Sequence, residues 1–229
     1  MAGHEVTIPP AGFGAYLALP EVTPAPAVVV FHEVWGLNDD IRRIVDRFAA
    51  AGYVALAPAI CDGTTRCMMQ GLRNLAAGAG PSVDAARASF AWIAGRDFVD
   101  SGRVAVAGFC MGGGFALLLA SSGDPAAAAV NYGRVPTDQD YAAMCPIVAS
   151  YGGLDKAFVP HVERLETGLT AAGIAHDVKV YPKAGHSFMN DASIAPLMRP
   201  FSALMHVGYK PDEAEEAWDR ILAFFSEHV

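Results

Sequence analysis

The fold of this chain is decided by residues 103–114, which read RVAVAGFCMGGG. The stretch begins as a short apolar run typical of a buried strand, and it leads into an apolar helical segment at 115–120. Between the two lies Gly-x-Cys-x-Gly, with Cys110 at its centre. Glycines two residues before and two residues after the cysteine allow a strand and a helix to approach closely. The pattern therefore predicts a cysteine on a sharp turn between a strand and a helix.

A cysteine in this position has the setting of a nucleophile. The arrangement matches the nucleophile elbow of the α/β-hydrolases, with sulfur in place of the usual serine oxygen. The positive end of the following helix favours a thiolate at Cys110, and the free N–H of Met111 can hold an oxyanion. The alternative is a buried structural cysteine at a strand–helix junction, so other residues have to decide between the two readings.

Length and composition favour one compact α/β domain spanning residues 1–229. Of the 229 residues, 53% are hydrophobic and 17% are charged, which is enough for a large core. The net charge of −8 argues against a nucleic-acid partner, and no apolar run is long enough to span a membrane. The start of the chain does not resemble a signal peptide, so we expect a cytoplasmic location.

The four cysteines also fit a reducing compartment. Cys61, Cys67, Cys110 and Cys145 are few, scattered and without CxxC spacing. We therefore expect no metal site and no cofactor.

Short apolar runs alternate with helical patterns, which is typical of a parallel sheet covered by helices on both faces. Strands are expected at 14–19, 27–31, 53–57, 103–107, 126–132, 146–151 and 176–181. Helices are expected at 38–51, 83–93, 160–172 and 212–225. Residues 59–80 lack a regular period and are expected to form a loop with a short helix over the mouth of the site.

Two further residues complete a catalytic triad in the order that this fold uses, which is nucleophile, acid and then histidine. Asp155 follows the strand expected at 146–151, and His186 follows the strand expected at 176–181. Carboxyl ends of parallel strands meet at the same edge of a sheet. The sequence therefore predicts that Cys110, Asp155 and His186 lie together in one pocket.

The loop after the strand at 27–31 contributes two more candidates. In this fold the corresponding loop supplies the second oxyanion N–H, and here we assign it to Val34. Glu33 then stands beside the cysteine turn, because a residue just beyond a buried strand tends to face the site.

The chain resembles the dienelactone hydrolases, also called carboxymethylenebutenolidases, over nearly its whole length. The resemblance is carried by residues 12–20, 32–38, 108–113 and 185–188. It implies that Cys110 is the nucleophile, His186 the base and Asp155 the residue that orients it. It also implies that Glu33 takes up the cysteine proton when substrate binds. The implied substrate is a small ester or lactone, cleaved through a thioacyl-enzyme.

The chain departs from the family at residues expected to contact substrate. Family members acting on dienelactone bind its carboxylate with arginines, one of them four residues after the histidine, where this chain has Asn190. Arg73 is the candidate for a second arginine. Trp35, Ser187 and Phe188 are further candidate substrate contacts.

Two other functions stay open at this point. A cysteine amidohydrolase of the glutaminase type pairs its cysteine with His-x-Glu, and the run from His161 to Glu163 has that spelling. A small-molecule binder without turnover is the second alternative, because a fold alone does not establish catalysis. The sequence gives no indication of the oligomeric state.

Overall fold

The computed structural model describes residues 3–9, 12–191, 203 and 205–229, which form eight strands and six helices. The strands are β1 (His4–Ile8), β2 (Phe13–Ala18), β3 (Ala25–Phe31), β4 (Val54–Pro58), β5 (Val99–Phe109), β6 (Ala128–Asn131), β7 (Ile147–Gly152) and β8 (His176–Tyr181). The helices are α1 (Asp39–Ala50), α2 (Thr65–Ala77), α3 (Pro81–Ala94), α4 (Met111–Ala120), α5 (Val159–Ala172) and α6 (Pro211–His228).

All eight strands form one sheet in the order β1-β2-β4-β3-β5-β6-β7-β8. The two pairings made by β2 are antiparallel, and every pairing from β4 to β8 is parallel. The predicted α/β-hydrolase fold with a mostly parallel sheet is confirmed. Because β3, β5, β6, β7 and β8 run parallel, the loops that follow them all leave from one edge of the sheet.

The core lies on the central strands and under two groups of helices. Every residue from Ala27 to Phe31 in β3 is fully buried, as expected of a strand covered on both faces. Helices α1 and α6 pack together through Phe48 and Trp218, whose ring centroids lie 4.6 Å apart. Helices α2, α3 and α4 contact one another in a second group.

Two expectations about the elements were wrong. Residues 59–80 contain α2, a regular helix of 13 residues, rather than a loop with a short helix. Only Gly71 of this helix is buried, although Met68, Leu72, Leu75 and Ala76 recur at helical spacing. The sequence analysis also missed β1, an edge strand that is largely exposed and whose side chains alternate weakly.

Among the described residues, no helix has both the length and the apolar character needed to cross a bilayer. The extent of the domain over 1–229 and the cytoplasmic location stay predictions.

Candidate active site

Cys110 lies on a strained turn between β5 and α4. Its backbone adopts φ 55° and ψ −115°, a region that residues other than glycine rarely occupy. The two flanking glycines are needed because the chain passes so closely here. A Cβ atom on Gly108 would lie 1.9 Å from the carbonyl oxygen of Gly112, and one on Gly112 would lie 2.0 Å from that of Phe31. The turn thus presents a half-buried sulfur at the end of the sheet.

The neighbouring strand holds this turn in place. The N–H of Cys110 donates to the carbonyl oxygen of Asn131 at 3.1 Å. The side-chain amide of Asn131 donates in return to the carbonyl oxygen of Gly108 at 3.2 Å. A backbone strained by about 1–3 kcal/mol persists only where its surroundings determine it, and these two bonds meet that condition.

The loops after β7 and β8 bring an acid and a histidine together. Nδ1 of His186 lies 2.6 Å from Oδ2 of Asp155, and both side chains are buried. The two loops are tied by backbone, since the N–H of Leu154 donates to the carbonyl oxygen of Ala184 at 2.9 Å. The N–H of His186 donates to the carbonyl oxygen of Met205 at 3.0 Å, which fixes the loop from the other side.

The surroundings of His186 favour its charged form. Burial alone lowers its pKa, but the nearby Cys110 sulfur and the hydrogen bond to Asp155 together raise the pKa to about 10. Aromatic rings enclose the imidazole, with the ring centroids of Phe158 and Tyr132 at 4.7 and 5.2 Å. The site can therefore hold an imidazolium between a carboxylate and a sulfur.

The backbone N–H groups of Met111 and Val34 were predicted to hold the oxyanion. Within residues 3–9, 12–191, 203 and 205–229, neither Met111 N–H nor Val34 N–H donates a hydrogen bond to the protein. The loop that carries Val34 is fixed by His32, whose Nδ1 lies 2.6 Å from the carbonyl oxygen of Glu33. Nε2 of His32 accepts from the N–H of Cys61 at 3.3 Å. Burial lowers the pKa of His32 to about 4, so the ring is neutral and serves as a brace.

Glu33 is buried beside the histidine loop. Its Oε1 accepts a hydrogen bond from the hydroxyl of Ser187, and its side chain is not in contact with bulk water. Burial raises the pKa of Glu33 to about 7, against the opposing effects of Ser187 and His186. A carboxyl group with this pKa can gain or lose a proton near neutrality. Ser187 thus contacts Glu33, and its expected contact with substrate stays a prediction.

A cavity of about 190 Å³ opens at Cys110. It is walled by α2, α4, Phe158 and the segment after β6. Its lining residues are Leu72, Leu75, Ala76, Cys110, Met111, Gly114, Leu117, Leu118, Arg134, Pro136, Thr137, Asp138, Gln139 and Phe158. The walls are mainly aliphatic, and the polar lining residues, among them the exposed Arg134 and Asp138, all lie in the segment after β6.

Most of the residues expected to contact substrate lie away from this cavity. Arg73 is exposed on α2, and Trp35 is half-buried in the loop after β3, and neither is a lining residue. Phe188 is fully buried against Tyr132 and Tyr181, with ring centroids at 5.7 and 5.0 Å. Their contact with substrate stays a prediction that this cavity does not support.

Asn190 belongs to a buried polar network rather than to the cavity wall. Its Oδ1 accepts from the hydroxyl of Tyr132, and its Nδ2 donates to Oδ2 of Asp40 at 2.8 Å. Asp40 also pairs with Arg43 at 2.7 Å. Asn190 therefore links β6 to α1 behind the histidine loop, and an arginine here would have to enter that network.

The sequence analysis missed Arg134 and Phe158. Arg134 is exposed in an irregular segment that offers no pattern, and in the described part of the chain no ion pair involves it. Phe158 follows Asp155 by three residues, and this closeness in the sequence could have indicated that its side chain lies near the site.

The alternative His-x-Glu pair does not form a second site. Glu163 is exposed on α5, and His161 contacts the backbone of Val135 through Nδ1 at 3.1 Å. It is His186, rather than His161, that pairs with a buried carboxylate.

Comparisons with known proteins agree with the fold. A model of the dienelactone hydrolase family matches residues 13–229. A Yersinia pestis protein, whose name gives carboxymethylenebutenolidase as a provisional assignment, is 31% identical, covering 98% of this chain and 88% of that protein. A Klebsiella pneumoniae structure, named provisionally as a dienelactone hydrolase, superposes with TM-score 0.77 at 25% identity and covers 98% of each chain. A dienelactone hydrolase-like promiscuous phosphotriesterase from metagenomic libraries shares the fold, with TM-score 0.82 at 21% identity, covering 99% of this chain and 98% of that one.

Proposed function

The chain belongs to the dienelactone hydrolase family and is a hydrolase of that kind, and from this premise we propose that it cleaves carboxylic esters or lactones through a thioacyl-enzyme on Cys110. The observation that carries the proposal is the buried pair of His186 and Asp155, 2.6 Å apart, beside a half-buried sulfur that opens onto a cavity. Nucleophile, base and orienting acid are the parts that such a reaction needs.

The first half of the reaction acylates the sulfur. The Cys110 thiolate attacks the substrate carbonyl carbon and forms a tetrahedral oxyanion. The free N–H groups of Met111 and Val34 donate to that oxygen, and each such donor is worth about 10²–10³ in rate. As the C–O bond breaks, the leaving alcohol takes a proton from the imidazolium of His186, and a thioester remains on the sulfur.

The second half releases the acid. His186, now neutral and held by Asp155, removes a proton from a water molecule, and the resulting hydroxide attacks the thioester carbonyl. The same two N–H groups stabilise the second oxyanion. Collapse returns the thiolate and the imidazolium, and the products are one acid and one alcohol. For a lactone, both groups stay on a single hydroxy acid.

Glu33 fits the role of the group that takes the proton of the Cys110 thiol before the first step and returns it to the thiolate after the products leave. Its pKa of about 7 lets it take a proton from Cys110 without a large cost near neutrality. In the state described here its carboxylate accepts from Ser187. The proposal therefore requires that contact to loosen when substrate enters the cavity.

The cavity favours a substrate with an apolar acyl or aryl part. Leu72, Leu75 and Leu118 line its walls, and Arg134 lies at its surface end. An ester that carries an anionic group on its far side fits both features, because the guanidinium offers a charge-assisted contact there.

The direct test is replacement of the nucleophile. Cys110→Ala is expected to lower kcat/KM for p-nitrophenyl acetate by about a thousandfold or more, leaving only what binding and the oxyanion donors supply. The matched control is Cys145→Ala, which removes a buried thiol at the start of β7 and leaves the turn intact. Circular dichroism verifies folding of both variants.

Activity of a folded Cys110→Ala protein within tenfold of wild type would reject the cysteine mechanism. Release of ammonia from glutamine by the wild type, without ester cleavage, would favour the amidohydrolase instead.

A further inference from the structure

A second group of sulfur and oxygen ligands lies outside the catalytic site, where β4 leads into α2. One ligand atom each from Cys61, Asp62 and Cys67 lie within 4.8 Å of one another. Cys61 is buried, Cys67 is half-buried and Asp62 is exposed. The three ligand atoms therefore extend from the protein interior, at Cys61, to the solvent, at Asp62. The reaction proposed above uses none of these three residues.

The carboxylate of Asp62 is already oriented. Its Oδ1 accepts from both the N–H and the hydroxyl of Thr64, at 2.9 and 2.7 Å. These bonds leave the second carboxylate oxygen available, and hydrogen-bonded carboxylates are common among metal ligands. Thr64 is also the N-cap of α2, so the first turn of that helix fixes Cys67 and Asp62 relative to each other.

We propose that Cys61, Cys67 and Asp62 bind one zinc-like divalent cation, with a fourth position open to water. Two thiolates and a carboxylate suit a soft, four-coordinate cation such as Zn²⁺. A disulfide between the two cysteines would use only the sulfurs, whereas a cation would also use the second carboxylate oxygen of Asp62, which the bonds from Thr64 leave available. That contrast favours the cation.

Binding exchanges protons for metal. Each thiol loses its proton on forming a metal–sulfur bond, and Asp62 binds as the carboxylate, so loading releases two protons and oxidises nothing. Cation affinity is therefore expected to rise with pH.

The cation site is joined to the catalytic site by backbone contacts. The N–H of Cys61 donates to His32, the residue that braces the loop carrying Val34. A Cβ atom on Gly63 would lie 2.6 Å from the carbonyl oxygen of Trp35 in the same loop. The helix that begins beside Cys67 forms one wall of the cavity. A bound cation would thus tie that wall to the oxyanion loop.

The test uses the reduced full-length protein, freed of metal with a chelator. Titration with Zn²⁺ against a chromophoric competitor gives the stoichiometry and Kd, and Co²⁺ reports thiolate ligands by a sulfur-to-metal charge-transfer band. We expect one ion per chain with that band, unchanged in Cys110→Ser and Cys145→Ala. Cys67→Ser is expected to lose the band and to weaken binding at least about a hundredfold.

Asp62→Asn separates the cation from a simple pair of thiols. It keeps an oxygen for the hydrogen bonds of Thr64 but removes the charge, and we expect at least about a tenfold weaker Kd. Binding that survives Cys67→Ser unchanged would overturn the proposal. Absence of Zn²⁺ binding by the reduced protein would also overturn the proposal. This holds whether or not treatment with oxidised glutathione converts Cys61 and Cys67 into a disulfide. Because these readouts do not depend on ester cleavage, failure here leaves the proposed reaction unaffected.

Discussion

Glu33 is a buried carboxyl group whose pKa lies near neutrality. A carboxyl group that stays neutral in the interior avoids the large desolvation cost of a buried charge, and its proton is released only near pH 7. The same property makes it available as an acceptor for the cysteine proton. The preceding residue, His32, shows the opposite shift, since burial lowers its pKa to about 4 and keeps the ring neutral.

The shift at Glu33 predicts a pH dependence of stability. Its pKa is 4.5 in the unfolded chain and about 7 in the folded protein, so between these values the folded state binds more protons. Its stabilising contribution is complete below pH 4.5 and is lost as the pH rises through 7. We expect the free energy of unfolding, relative to the isosteric Glu33→Gln variant, to fall by about 1.4 kcal/mol per pH unit in that window.

Urea unfolding of both proteins at several pH values measures this difference. Contributions of His32 and His186 largely cancel, because both proteins contain them. A difference between wild type and Glu33→Gln that does not change with pH would show that Glu33 is ionised in the folded state throughout.

Arg134 is the residue expected to select the substrate. It is a cation at the cavity of a protein whose net charge is −8, which otherwise repels anions. Arg134→Gln is expected to raise KM about two- to fivefold for an ester with a distal carboxylate, the range of an exposed charge pair. The KM for a neutral ester of the same size should stay unchanged. Equal effects on both esters would mean that Arg134 acts on the shape of the cavity and not through charge.

At the scale of elements, the turn between β5 and α4 depends on close packing of backbone on backbone. The strand and the helix approach so closely at Gly108 that there is no room for a methyl group. The helix in turn abuts the end of β3, which carries the oxyanion loop. Displacing this turn is therefore expected to move Cys110, the proposed nucleophile, together with the proposed oxyanion donors of Met111 and Val34.

Gly108→Ala tests this dependence. Its Cβ atom would lie 1.9 Å from a backbone oxygen that has no rotamer to relieve the clash. We expect a loss of several kcal/mol in stability, about 4 or more, or no soluble protein at all. Gly14→Ala is the control, because a Cβ atom there meets nothing within 4 Å. Thermal unfolding by circular dichroism compares the two, and equal stability would refute the packing argument.

The strands and helices could be predicted from the sequence where burial leaves a regular pattern of apolar residues. The strands at 27–31 and 146–151 were predicted within two residues of the bounds of β3 and β7, because buried strands read as continuous apolar runs. The strand at 176–181 has the bounds of β8, a half-buried strand in which Val178 and Val180 alternate with polar residues. Helix α2 was not predicted as a regular helix, because Gly, Arg, Met and Cys are mixed in its sequence; it borders a cavity, and its residues other than Gly71 are half-buried or exposed.

At the scale of the whole molecule, the parallel sheet explains why remote residues meet. Cys110, Asp155 and His186 each follow a parallel strand, and such strands end at one edge, so order along the chain was enough to name them. Their catalytic roles stay proposals. The cavity could not be predicted, because it depends on how α2 rests against α4. For the same reason Arg134, in an irregular segment, had no detectable pattern.

The measurement that tests the central claim most directly is trapping of the covalent intermediate. Wild-type protein mixed with p-nitrophenyl acetate is quenched in acid within the first turnover, digested with protease and analysed by mass spectrometry. We expect one acetyl group on the peptide that contains Cys110, removable by hydroxylamine as a thioester is. An acetyl group on another residue during productive turnover, or turnover at full rate with Cys110 blocked by a thiol reagent, would contradict it.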